Sequence, residues 1–274
     1  MARSRHLTLS MTTANPLSVK IGLLILFLSL FFSGYSLALE CRFPQPPSVQ
    51  IDSDLNKIRI WEIFDDQIYW SEALPKSAAF ERYQEWVRER VDPDPFYLIR
   101  RQQELFLEYL PSAPITRNFD MIIDKKVGNI SPITCLEALL FSKHTARFPL
   151  EKKPSEFFAT ILARNAPKGR LLKIYFLSWK SGCEAPQSRY ATELWKKDVR
   201  DGWIFLANLH NHPLVLDGAK GEDIAGTTIP SSNDIEVFRH QAAQSDLRNA
   251  WITNGFSTIH FRADEFDELF TEWK

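Results

Sequence analysis

The stretch Trp203–His212 constrains this chain more than any other. It is largely apolar, holds no Gly or Pro, and stops at Pro213 with two histidines separated by one residue. A run that short and that apolar reads as a buried strand, and Pro213 closes it because proline has no N–H to give to a ladder. Alternate side chains of a strand share a face, so His210 and His212 leave the same side of its end. Two imidazoles so placed can chelate one cation. Taken alone, they are equally two polar residues where a strand meets solvent.

The text on either side supplies a sheet for that strand to join. Phe157–Leu162 and Leu171–Leu177 read as strands around the turn Pro167-Lys168-Gly169. Ala250–Thr253 and Phe256–Arg262 flank Asn254-Gly255, a strong hairpin signal. Met121–Val127 is expected as a short strand. Ser131-Pro132 is expected to open a helix, as N-cap and first-turn proline, and Ala191–Val199 to form another. A helix from Ser231 carries Ile235, Phe238 and Ala242 on one face, and Phe266, Leu269, Phe270 and Trp273 suggest a closing helix. The fold class is therefore α/β (α+β), a mixed sheet flanked by helices, over residues 115–274. Residues 40–114 are expected to be mainly helical, with helices at Ser77–Val91 and Pro95–Leu110 and a strand or two within Lys57–Tyr69. Leu110-Pro111-Ser112-Ala113-Pro114 marks the boundary.

The first 39 residues hold Arg3, Arg5 and Lys20, no acid, and an uncharged apolar stretch from Ile21 to Leu39. With Ser36-Leu37-Ala38 as a cleavage site, residues 1–38 read as a signal peptide; the alternative is a retained membrane anchor through residues 21–39. Either way the body is expected outside the cytoplasm, periplasmic or secreted. Cys41, Cys135 and Cys183 allow one disulfide there, whose pairing the sequence leaves open. Without its basic leader the chain is modestly acidic, and no Lys/Arg cluster alternates with aromatics, so nucleic acid is not an expected partner.

Two further elements bear on the histidine pair. Ser231-Ser232-Asn233-Asp234 has the form of a capping box, which by itself says only that a helix starts there. The same spacing sets Ser231 beside Asp234 at a helix N-terminus, where Asp234 can be a third metal ligand. Two nitrogens and one oxygen with an open fourth position describe a catalytic rather than a structural zinc site. Glu156, at the head of the Phe157 strand, is a candidate general acid/base, although taken alone, with Glu151, Lys152 and Lys153 nearby, it reads first as part of a solvated charged stretch. Glu137, Glu151 and Glu184 are alternatives for that role.

In order, Glu156, strand–turn–strand, helix, a strand ending His210-Asn211-His212-Pro213, and Pro230-Ser231-Ser232-Asn233-Asp234-Ile235 opening a helix resemble the JAMM/MPN zinc metallopeptidases from about residue 130 onward. The resemblance implies an MPN/cytidine-deaminase-like fold, Zn2+ held by His210, His212 and Asp234, Glu156 as general acid/base, Ser231 as oxyanion donor, and a protein or peptide substrate cut at an amide bond. It implies equally, where the fold is kept without the reaction, a catalytically silent binding or scaffold module of the envelope. The sequence departs from the pattern in Asn211, where the family has Ser or Thr, and in a longer segment from Leu214 to Ile229, read as a loop inserted over the site.

Overall fold

The computed structural model describes residues 40–52, 56–109, 113–180, 188–217 and 223–271. The apolar leader, Cys183, Glu184 and part of the expected Leu110–Pro114 boundary lie outside them. Its elements in chain order are β1 (Ser48–Ile51), β2 (Lys57–Phe64), α1 (Ala78–Arg88), α2 (Pro95–Tyr109), α3 (Thr116–Ile123), β3 (Asn129–Pro132), α4 (Cys135–Thr145), β4 (Phe157–Ala166), β5 (Gly169–Ser178), α5 (Arg189–Arg200), β6 (Ile204–Asn211), β7 (Val215–Asp217), β8 (Asp223–Ala225), α6 (Ser232–Ser245), β9 (Asn249–Thr253) and β10 (Ser257–Arg262). Eight strands form one sheet in the order β1-β2-β5-β4-β6-β9-β10-β3, and β7 and β8 form a separate hairpin. The fold is mixed α+β. Residues before 115 contribute two strands to this same sheet as well as helices.

All neighbours in the sheet are antiparallel except β6 and β9. Parallel neighbours need a crossover, and α6 is that crossover. Consequently the N-terminus of α6 follows the chain leaving the carboxyl end of β6, which is where the site forms.

Side chains of β4 alternate between two cores. Phe157, Ala159, Ile161 and Ala163 join a cluster with Phe80 and Tyr83 of α1 and Leu136, Leu140 and Phe141 of α4. Leu162 joins Trp195 of α5, Phe238 of α6 and Phe119 of α3 on the other face. Helices thus cover both faces of the sheet. Cys41 is disulfide-bonded to Cys135, tying the segment before β1 to the first residue of α4. Among the described residues, no helix is long and apolar enough to cross a membrane.

Three expected elements differ. Met121–Val127 is not a strand: Phe119 and Ile122 are the buried stripe of α3, which ends before Lys125 at φ 57°. The strand of this region is β3, so Ser131-Pro132 does not open a helix. Pro132 lies on a sheet edge, bonded to β10 alone, where a missing N–H is tolerated. The helix starts at Cys135 after Thr134, whose N–H is taken by Glu137 Oε2 at 2.7 Å. The closing helix is only a short 3-10 segment, Ala263–Glu268. Its continuation is drawn out by Asn118, which bonds both N–H and C=O of Phe270 at 2.8 Å, and by Arg239, which donates to the carbonyls of Phe266 and Leu269.

Candidate metal centre

His210 lies on β6 opposite Phe158 of β4. Glu156 lies two positions before Phe158, past the last rung of that ladder, and its charge acts on His212. Asp234 comes from the first turn of α6, whose N-cap is Ser231. The expected ligands therefore meet from two directions, strand end and helix start.

Their donor atoms converge. His210 Nε2 is 3.1 Å from His212 Nε2, and Asp234 presents Oδ1 to His210 Nε2 and Oδ2 to His212 Nε2, each at 3.3 Å. A tetrahedral zinc with ligands at about 2.0–2.1 Å sets them about 3.3–3.4 Å apart along each edge. The His210–His212 separation lies close to that edge, each of the two Asp234 oxygens stands 3.3 Å from a different imidazole, and one ligand atom from each residue lies within 4.8 Å of the others, an N,N,O donor set that suits zinc. Among the described residues, this trio forms the cluster of His, Cys, Asp and Glu side chains able to hold a cation.

Electrostatics here favour positive charge. Burial pushes His212 down, but the hydrogen bond and charge of Asp234, the charge of Glu156 and the Thr227 carbonyl outweigh it and raise its pKa to about 9. Burial likewise opposes ionisation of Asp234, yet His210 and His212 hold its carboxyl well below the usual value. The tautomer of His212 is also fixed. Its Nδ1 faces the Thr227 carbonyl at 2.9 Å, and a carbonyl only accepts, so Nδ1 carries a proton. In the neutral ring that leaves the Nε2 lone pair directed at the cluster. His210 is buried, its ring centroid 6.0 Å from that of Phe238, and its Nδ1 has no partner. Two residues earlier, Asn208 is buried with Nδ2 on Gln241 and Oδ1 unpartnered, a complementary acceptor on the same strand face.

The segment expected as a loop over the site is the β7–β8 hairpin with its flanks. Its return seats against the site at Gly226, whose φ of +82° leaves no room for a side chain: a Cβ there would lie 1.8 Å from the Pro213 carbonyl oxygen. The following residue, Thr227, gives its carbonyl to His212 and its hydroxyl to Gln102 Oε1 of α2. Where the segment leaves the site, the N–H of Leu214 donates to Tyr83 Oη of α1, and that hydroxyl donates to the Asn254 carbonyl.

Glu156 is 5% exposed, so it belongs to the buried cluster and not to a solvated stretch. Asn211 and His144 hold the chain around it. Asn211 Oδ1 accepts from Phe157 N–H at 2.6 Å, and Asn211 Nδ2 donates to the Ser155 carbonyl at 3.2 Å. His144 Nε2 donates to that same carbonyl at 3.0 Å, while its Nδ1 accepts from Ser178 Oγ at 2.8 Å. Glu137 is spent elsewhere, on Thr134, Thr258 and His260. Ser231 is exposed, and its hydroxyl donates to Asp234 Oδ2 at 2.7 Å and accepts from Asp234 N–H at 3.2 Å. In this arrangement it caps the helix and steadies the carboxylate.

Sequence reasoning missed the supporting groups. Thr227 acts through a backbone carbonyl, which no residue type announces. His144 bonds residues 11 and 34 positions away, so no local spacing marks it. Asn211 stood out only as the unusual middle residue of the histidine pair. Compared with family models, curated proteins and solved structures, the chain returns no match in any of the three.

Proposed function

We propose that this chain is a zinc-dependent peptidase or isopeptidase with an MPN-like fold, hydrolysing an amide bond of a protein or peptide outside the cytoplasm. The observation that carries the reading is the convergence of His210, His212 and Asp234, with donor atoms within 4.8 Å of one another and the charge of Glu156 acting on His212. Zinc bound there would supply Lewis acidity toward the amide carbonyl and bring the pKa of a water molecule to roughly 7. Glu156 takes a proton from the attacking water and returns it to the leaving nitrogen as the C–N bond breaks. Ser231, exposed beside Asp234, donates to the oxyanion once its proton is released from the carboxylate. The Cys41–Cys135 bridge supports an oxidising compartment.

The experiment has two stages. Purified protein is stripped with chelator, reloaded with zinc, and assayed for metal and for cleavage of a fluorescence-quenched peptide mixture. About one zinc per chain is expected, with cleavage lost in His210→Ala. Glu156→Gln should keep the metal and lose about 10²–10⁴-fold in rate. Folded protein that takes up no zinc sinks the reading; zinc without cleavage favours a silent binding module.

A further inference from the structure

The β4–β6 ladder ends at Phe158 and His210, while β4 remains paired with β5 as far as Phe157. Glu156 thus stands on a strand end that has lost one of its two neighbours. The Asn211 side chain replaces the missing ladder. It grips the carbonyl of Ser155 and the N–H of Phe157, which belong to the two peptide planes on either side of the Glu156 Cα. The φ and ψ of Glu156 are the rotations between those planes, so holding both fixes the direction in which its side chain leaves the backbone. The N–H of Trp179 adds a third hold, on the carbonyl of Glu156 itself at 3.2 Å. Asn211 is fully buried, and its own backbone is locked in parallel register with Thr253.

We propose that Asn211 is a positioning residue for the hydrolysis: it aims the Glu156 carboxylate at the metal face by clamping the peptides before and after it. The inference rests on the hydrolase reading above. The clamp needs an acceptor and a donor on separate atoms, which an amide has. A carboxylate lacks the donor, and a hydroxyl has only one oxygen. Because Asn211 lies between His210 and His212, one three-residue stretch sets both imidazoles and the aim of the proton-transfer group. Their mutual register is fixed within a single strand end.

The test compares zinc-loaded wild type, Asn211→Ala, Asn211→Asp, Glu156→Gln and the double variant Asn211→Ala/Glu156→Gln. Cleavage of the quenched-peptide mixture is one readout. The other is the 13C signal of the Glu156 carboxyl carbon, assigned by its loss in Glu156→Gln. Asn211→Ala is expected to keep one zinc and its KM while kcat falls roughly 10²-fold, the scale of a misplaced catalytic group. Asn211→Asp keeps the shape and loses the donor, and should fall in the same direction if Asn211→Ala does not fold. The double variant should be no slower than Glu156→Gln alone, since Asn211 acts only through that carboxylate. The Glu156 signal should move in both Asn211 variants. Full kcat in Asn211→Ala, a further loss in the double variant, or an unmoved carboxyl signal would overturn the proposal. Were wild type to cleave nothing, the hydrolase reading would fall, and the carboxyl signal would still decide whether Asn211 holds Glu156 in place.

Discussion

Replacing Gly226 by Ala should damage the proposed metal centre from outside it. An added Cβ would stand 1.8 Å from the Pro213 carbonyl oxygen, 2.6 Å from its carbon and 3.1 Å from Leu214 Cα, all backbone atoms that cannot swing aside. Reaching the 3.4 Å of ordinary contact requires the two segments to part by about 1.6 Å. Thr227 follows immediately, and its 2.9 Å bond from His212 Nδ1 does not survive a displacement of that size. Losing a group that orients a metal-bound histidine typically costs about 10–100-fold in metal affinity, or about 1.4–2.7 kcal/mol. A left-handed φ on a residue with a Cβ adds about 1–3 kcal/mol of backbone strain to the folded state. The assay is zinc affinity by competition with a fluorescent chelator, beside thermal melts of the metal-free protein. Gly169→Ala is the control, because φ there is +130° but nothing lies within 4 Å of the new Cβ, at the far end of β4 from Glu156. Gly226→Ala holding zinc within about twofold of wild type would refute the reasoning, as would an equal weakening by Gly169→Ala.

Other consequences follow from the same structure. Reducing the Cys41–Cys135 bridge, which closes a loop of 94 residues, should cost about 4–5 kcal/mol on the chain-entropy account; denaturant midpoints of oxidised and reduced protein that coincide would count against it. His144 has its pKa lowered to about 4, chiefly by burial and against the pull of the Ser155 carbonyl. The unfolded chain binds a proton at 6.5 that the folded chain refuses, so stability falls as pH drops from about 6.5 to 4, by about 3 kcal/mol. His144→Gln should flatten that slope in denaturant melts, and an unchanged slope would clear His144 of the effect. Ser231→Ala should retain zinc and lose about 10²–10³-fold in kcat as an oxyanion donor; a variant that only melts earlier, by the roughly 1 kcal/mol of a lost helix cap, would leave Ser231 with the capping role alone.

The convergence of His210, His212 and Asp234 was legible because its geometry is local. A period of two put His210 and His212 on one face, and helix-start chemistry put Asp234 beside Ser231. Glu156 was half legible: the apolar strand behind it was plain, but its burial depends on Asn211 and His144, which reach it from distant positions. The strand pattern of residues 157–262 carried most of the sheet, including the Asn254-Gly255 hairpin. Residues 116–134 misled because Met121-Ile122-Ile123 looks like a strand unless Phe119 is counted with it. Proline after serine signals a helix start only where the proline is not an edge-strand residue. The Cys41–Cys135 pairing depends on which chain segments come together in space, and three cysteines do not encode that.

The single parallel join in the sheet separates how the site is assembled from how it works. His210 and Asp234 are the first and last of the proposed ligands along one β6–α6 connection, 24 positions apart, and closing so short a segment costs little chain entropy. Glu156 arrives only when β4 docks on β6, from 54 positions upstream of His210. On the proposed reading, such a chain would acquire zinc while the sheet is still incomplete, and damage confined to β4 would disarm it without emptying it. Zinc content would then be no measure of how many molecules are competent, and the fraction that turns over would report on one strand end.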